Sequence, residues 1–175
     1  MRYDLKKRVC AGEVPPAASS KRGTCTLKHI FIINPSAGKN DSRQRIYTMA
    51  EALREKHGLD VQCMLTASVG HAATLARGLA ESGEDVRLYA CGGDGTVNYV
   101  VNSMKSKGLD IPLGVIPAGT ANDFAGALGM SHKPLEAARQ IASGAIDRVD
   151  CGCVNGLYFV NIFSFGIFTT TSQRT

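Results

Sequence analysis

At 175 residues the chain has the length of one ordinary domain and can bury a sizeable core. With 44% apolar and 20% charged residues, 19 glycines and no tryptophan, its composition excludes collagen-like, coiled-coil and low-complexity classes. Residues 1–28 hold seven Lys or Arg against Asp4 and Glu13, which is the whole of the net charge of +5; the other 147 residues balance at 13 basic and 13 acidic. A balanced body excludes a nucleic-acid-binding domain with a basic stripe. The Pro-, Ser- and Lys-rich residues 1–28 are expected to form a disordered basic tail. No apolar run reaches the roughly 20 residues that cross a bilayer, and the basic start leads into Pro15 and Pro16 instead of a signal-peptide core. The expectation is a cytoplasmic protein without a transmembrane segment.

From residue 29 onward short apolar runs alternate with amphipathic stretches, the pattern of a parallel sheet covered by helices. A first strand is predicted over 29–33. A helix follows, capped by Asp41 or Ser42, with Ile46, Met49, Ala50 and Leu53 on its buried face and Gly58 as its stop. Strand 61–65, a helix over about 70–82 and strand 86–91 come next. Thr96 is expected to open a helix running to about residue 105, before strand 113–116 and helices over 123–128 and 134–143. After Gly144 the pattern changes: 146–154 alternates, Asn155-Gly156 signals a two-residue hairpin turn, and 157–163 is its partner strand. The apolar residues Ile162, Phe163, Phe165, Ile167 and Phe168 then predict a chain that stops inside a second, β-rich domain.

Cys63 and Cys91 fall within apolar runs and read as reduced, buried thiols, while Cys151-Gly152-Cys153 lacks the two-residue spacer of zinc or redox pairs. His57, at a helix end, and His71, at a helix start, read as solvated surface residues.

Three glycine-rich loops carry the chemistry. Asn34-Pro35-Ser36-Ala37-Gly38, Gly92-Gly93-Asp94-Gly95-Thr96 and Pro117-Ala118-Gly119-Thr120-Ala121-Asn122-Asp123 each begin where a predicted strand ends, so all three fall on one sheet edge. Ligands of open α/β sheets bind beyond the carboxyl ends of the strands, where loop amides and helix N-termini attract anions. Glycine there takes positive φ and lets a phosphate approach the backbone. Neither the P-loop nor the dinucleotide fingerprint is present. Asp94 among glycines fits a carboxylate facing Mg²⁺ that bridges phosphate oxygens; the competing reading is a cap for the helix opening at Thr96.

In this order and spacing, Asn34-Pro35-x-x-Gly38, Gly92-Gly93-Asp94-Gly95-Thr96 and Pro117-x-Gly119-Thr120-x-Asn122-Asp123-Phe124 resemble the motif set of the diacylglycerol kinase catalytic domain family, which includes bacterial lipid kinases and sphingosine kinases. The second motif is shared with NAD kinases; the third selects the lipid branch. The resemblance spans residues 29–170 almost continuously. It implies an α/β fold, a three-layer parallel-sheet nucleotide-binding domain followed by the first hairpin of a β-sandwich domain. The division would be 1–28 tail, 29–145 ATP-binding domain and 146–175 start of an incomplete β domain.

The activity implied is ATP-dependent phosphorylation of a lipid hydroxyl, diacylglycerol or similar, at a membrane surface that the protein meets peripherally. A homodimer is left open. The alternatives are an NAD kinase-like enzyme and a truncated nucleotide-binding module without catalysis. Carried over by position, Asn34, Pro35, Ser36, Ala37, Gly38, Thr66, Gly92, Gly93, Asp94, Gly95, Thr96, Val97, Asn98, Gly119 and Thr120 would line ATP, with Asp94 towards Mg²⁺. Asn122 and Asp123 would stand on the acceptor side, with helix capping as a second reading of Asn122. The resemblance puts the general base beyond Thr175. Tyr99, where the family commonly has Glu, Ser103, where it often has Gly, and Gly126, in place of a frequent Arg, depart from the pattern.

Overall fold

The computed structural model describes residues 27–38, 41–66 and 84–161, together with positions 71, 74 and 78. The basic tail, most of the helix expected over 70–82 and the apolar run after residue 161 lie outside the described residues; positions 71, 74 and 78 are helical, and His71 is exposed. Four strands, β1 (Lys28–Ile33), β2 (Asp60–Leu65), β3 (Val86–Gly92) and β4 (Leu113–Pro117), form one parallel sheet in the order β2-β1-β3-β4. A strand covered on both faces reads as a continuous apolar run, and Ile30, Phe31, Ile32 and Ile33 are each at most 1% exposed. Burying each such side chain contributes about 1.5–3 kcal/mol.

The chain leaves β1 in one direction, to β2, and reaches β3 on the other side. Right-handed crossovers then put the connecting helices on opposite faces. Helix α1 (Arg43–His57) packs Ile46, Met49, Ala50 and Leu53 onto the Phe31, Ile33 and Tyr89 face, joined there by Ala137, Ala138 and Ile141 of α4 (Pro134–Ser143). Helix α2 (Asp94–Lys105) covers the opposite face, where Val97, Val100, Val101 and Met104 meet Ile30, Ile32, Leu88 and Ala90. Gly58, at φ 63°, ends α1 as expected, and its N–H bonds back to the carbonyls of Arg54 and Leu53. Cys91 is buried and Cys63 half-buried, both free thiols pushed up in pKa by burial.

Two expectations change. Helix α2 begins at Asp94, two residues before Thr96, because Gly93 is extended and its carbonyl already accepts from the N–H groups of Thr96 and Val97. The hairpin is far shorter than its pattern: β5 (Gly152–Val154) pairs antiparallel with β6 (Leu157–Phe159), and 146–151 has no strand partner among the described residues. Alternation specifies a strand only where a neighbour and a core take up its two sides, and Ile146 and Val149 remain 59% and 56% exposed. The turn is as expected, with Asn155 at φ 49° and Gly156 at φ 80°. The helix before β5 and the one at 123–127, α3 (Asp123–Ala127), complete the described elements.

His29, near the start of β1, is 1% exposed and stacks on Tyr89, with Nδ1 2.9 Å from the Tyr89 hydroxyl, while its buried Nε2 has no hydrogen-bond partner among the described residues. Burial, reinforced by Arg87 and opposed by Asp60, holds its pKa below the usual histidine value. The unfolded chain therefore takes up a proton before the folded chain does, so this stability is intact above about pH 6.5 and is lost as pH falls. The melting temperature should drop between pH 7.5 and 5.5, and His29→Gln should flatten that dependence; an unchanged slope in the variant would assign it to other groups.

Candidate functional site

The strand order reverses its sense at β1 and β3, so the loops leaving these two strands flank the switch point of the sheet. They are stitched together by Asn34. Its N–H donates to the Cys91 carbonyl (3.1 Å), its amide Nδ2 donates to Thr96 Oγ1 (3.0 Å), and its Oδ1 accepts from the Ser36 N–H (3.0 Å). Thr66, at the end of β2, donates from both N–H (2.9 Å) and Oγ1 (3.2 Å) to the carbonyl of Ile33, the residue before Asn34. Pro35, Ser36, Gly38, Gly95 and Thr120 are exposed at this edge, and Ala37 is partly covered. Val97 is 1% exposed with its side chain in the core, so only its backbone borders the loop.

The loop tips meet through backbone. A Cβ on Gly119 would lie 2.4 Å from the Gly93 Cα, and one on Gly38 would lie 2.5 Å from the Ala118 carbonyl oxygen. Gly38 also sits at φ 80°, as anticipated for these glycines; Gly92, Gly93, Gly95 and Gly119 do not take positive φ. Gly119 is thus required by the mutual approach of two loops, a Cβ on Gly93 would stand a tight 3.1 Å from the Gly119 Cα, and the space around Gly95 is open among the described residues. Asp94 and Gly95 are the first residues of α2, whose N–H groups have no carbonyl a turn earlier to bond.

Asn122 sits in the left-handed region at φ 58° and is 5% exposed. Although at the N-cap position of α3, its side chain does not cap: Oδ1 accepts from the Gly119 N–H and Nδ2 donates to the Gly119 carbonyl, both at 2.8 Å, closing the turn that carries Thr120. The cap comes from Asp94. Its Oδ2 accepts from the Asp123 N–H (3.1 Å), and its Oδ1 accepts from the Phe124 N–H (3.0 Å) and from Nδ2 of Asn161 (3.0 Å). Asp94 therefore caps α3, not the helix it opens. Partial desolvation raises the Asp94 pKa, but these donors outweigh it and the carboxyl lies below its usual range. Asp94 thus stands ionised at the mouth, with Asp123 exposed beside it.

Between the first and third loops lies a cleft of about 370 Å³, lined by Gly38, Ser42, Arg45, Gly119, Thr120 and His132 among others. The Arg45 guanidinium spans it, donating to the carbonyls of Pro117 and, at 3.5 Å, of His132. Sequence reasoning passed over Arg45 and Asn161, since each acts on residues more than 65 positions away and belongs to no local motif. The chemistry of this edge is that of anion binding: open glycine backbone, helix-start amides and one ionised carboxylate able to share a cation.

A family model for the diacylglycerol kinase catalytic domain matches residues 28–154. The chain belongs to that family. Among curated relatives, a diacylglycerol kinase of Staphylococcus saprophyticus is 38% identical over 145 residues, covering 83% of this chain and 47% of the relative. One of Staphylococcus aureus is 37% identical over 145 residues, covering 83% and 45%. The crystal structure of a diacylglycerol kinase from Bacillus anthracis superposes with a TM-score of 0.63 at 31% identity, covering 77% of this chain and 46% of that one. The chain thus spans about half the length of the relatives it matches. Among the described residues no helix is long and apolar enough to cross a membrane.

Gly119→Ala forces the Gly93 loop to move and should cost about 1–3 kcal/mol by urea unfolding. Gly95→Ala, in open space, should stay within about 0.5 kcal/mol of the parent or stabilise it. Equal losses at both positions would contradict the loop contact.

Proposed function

We propose that the protein is an ATP-dependent lipid kinase and that residues 29–145 are its nucleotide-binding domain, with 146–175 the start of the acceptor-side domain. The observation that carries this reading is the convergence of the three loops at the switch point, with ionised Asp94 at their junction. The triphosphate would lie along Asn34 to Gly38, Gly92 to Asn98 and Gly119-Thr120, with Thr66 closing the β2 end. The names of the relatives support diacylglycerol as acceptor and give no support to NAD.

Asp94 fits a magnesium site of the kind that uses one carboxylate together with phosphate oxygens and water, since Oδ2, bonded by the Asp123 N–H, can still turn a lone pair to a cation. Bound magnesium supplies neutralisation of phosphate charge. The chain's own residues supply position: amides at the start of α2 hold phosphate oxygens, and Asn34 and Asn122 keep their loops from shifting during in-line transfer. Asp123, exposed beside Asp94, would face the acceptor hydroxyl, whereas Asn122, buried and bonded to Gly119, would act by holding the turn. The lipid is reached peripherally, at a membrane surface, and basic residues of the tail would each add about 1 kcal/mol near an anionic leaflet.

Calorimetric titration with ATP, with and without Mg²⁺, tests this. Asp94→Asn keeps an acceptor for the start of α3 but removes the charge, so magnesium-dependent affinity should fall tenfold or more, about 1.4 kcal/mol, with metal-free affinity nearly unchanged. Equal losses in both conditions would remove Asp94 from the metal. Labelled phosphate from ATP should appear on diacylglycerol in vesicles and not on NAD; transfer to NAD would overturn the lipid assignment.

A further inference from the structure

Asp94, Asn98 and Asn102 recur every four residues and so share one face of α2. All three meet the strand end of the hairpin. Asn102 holds Tyr158 at both backbone groups, with Oδ1 accepting from its N–H (2.7 Å) and Nδ2 donating to its carbonyl (2.6 Å), while the same Nδ2 also donates to the Asn98 carbonyl (2.8 Å). Asn98 Oδ1 accepts from the Val160 N–H (3.3 Å), and Asp94 Oδ1 accepts from the Asn161 amide (3.0 Å). A helix face is here doing what a neighbouring strand does, satisfying backbone groups of Tyr158 in β6 and of Val160 just beyond it. β6 has three residues and a single partner strand among the described elements, and Tyr158 and the following Val160 also pack against the core on this face of the sheet.

We propose that Asn161 is a positioning residue of the phosphate site, orienting the Asp94 carboxylate, and that the Asn98–Asn102 grip on β6 is what delivers it. This rests on the reading of Asp94 as the residue that holds magnesium. The geometry gives the amide a specific task. Asn161 and the Phe124 N–H both bond Oδ1, which leaves Oδ2, bonded by the Asp123 N–H, as the oxygen to face a cation. Removing the amide frees Oδ1 to compete and lets the carboxylate turn. The hairpin and the nucleotide loop are thereby coupled through three rungs on one helix, so a shift of β6 along α2 is read at Asp94.

Two readouts on the full chain test this. The first is the side-chain amide signal of Asn161 in nitrogen–proton NMR spectra, without nucleotide. Asn102→Ala should move it towards the value of a free amide and speed its exchange with water. Asn102→Asp, which keeps an acceptor for the Tyr158 N–H but loses both donated bonds, covers the case in which the alanine variant does not fold. An unmoved Asn161 signal in the folded variant overturns the delivery by Asn102. The second readout is ADP affinity by calorimetry. Asn161→Ala should lower affinity five- to tenfold with Mg²⁺ and leave metal-free affinity unchanged, a split that general loosening of the hairpin would not produce. Equal losses, or none, with a parent chain that binds Mg-ADP overturn this inference alone. A parent chain that binds no Mg-ADP overturns the kinase reading, and the role of Asn161 with it.

Discussion

Two loops that follow neighbouring strands touch backbone to backbone at Gly93 and Gly119, and the arrangement of the whole ligand edge depends on that approach. A side chain at Gly119 would have to displace Gly93, and one at Gly38 would have to displace Ala118, so the three tips close on one another only with glycine at these two positions. Once they are closed, Asn34 reaches Thr96 and Asn122 ties both backbone groups of Gly119. The order β2-β1-β3-β4 brings the roots of these loops side by side, and the side-chain amides then fix their tips.

Asp94 is the second junction. It stands at the start of one helix, caps another and bonds the residue that follows the hairpin, so it links three segments before any ligand is considered. A carboxylate held by the Asp123 and Phe124 N–H groups and the Asn161 amide is oriented in advance, and such preorganisation lets a phosphate site work without rearranging its dipoles during transfer. The same residue ties site to stability: its lowered pKa means that this contribution is present above about pH 4 and is lost as pH falls through the folded value.

β1 and β3 were legible because each is a short apolar run buried on two faces, and α4 was legible to the residue because Pro134 opens it where proline suits a first turn. The positions of the three motifs on one edge followed from strand direction alone. The reasons for the glycines were only half legible: Gly38 does need its positive φ, but Gly93 and Gly119 answer to each other, a contact between positions 26 residues apart. Asp94 read as a cap was right in chemistry and wrong in helix, since α3 begins 29 positions later. The Asn102 grip on Tyr158 spans 56 positions and left no periodic trace, and the strand expected over 157–163 reached only Phe159 before side chains of α2 replaced a neighbouring strand. His29 falls at the first position of the strand expected over 29–33, and only the fold shows its ring sealed against Tyr89.

The central claim is that this one sheet edge receives the phosphates of a nucleotide. An NMR titration of the chain with Mg-ADP, read amide by amide, addresses it most directly. The account predicts shifts concentrated at 34–38, 92–98 and 119–123, with Gly95 among the largest. Shifts confined to the opposite edge, near residues 60, 86 and 113, or none at saturating nucleotide, would contradict it.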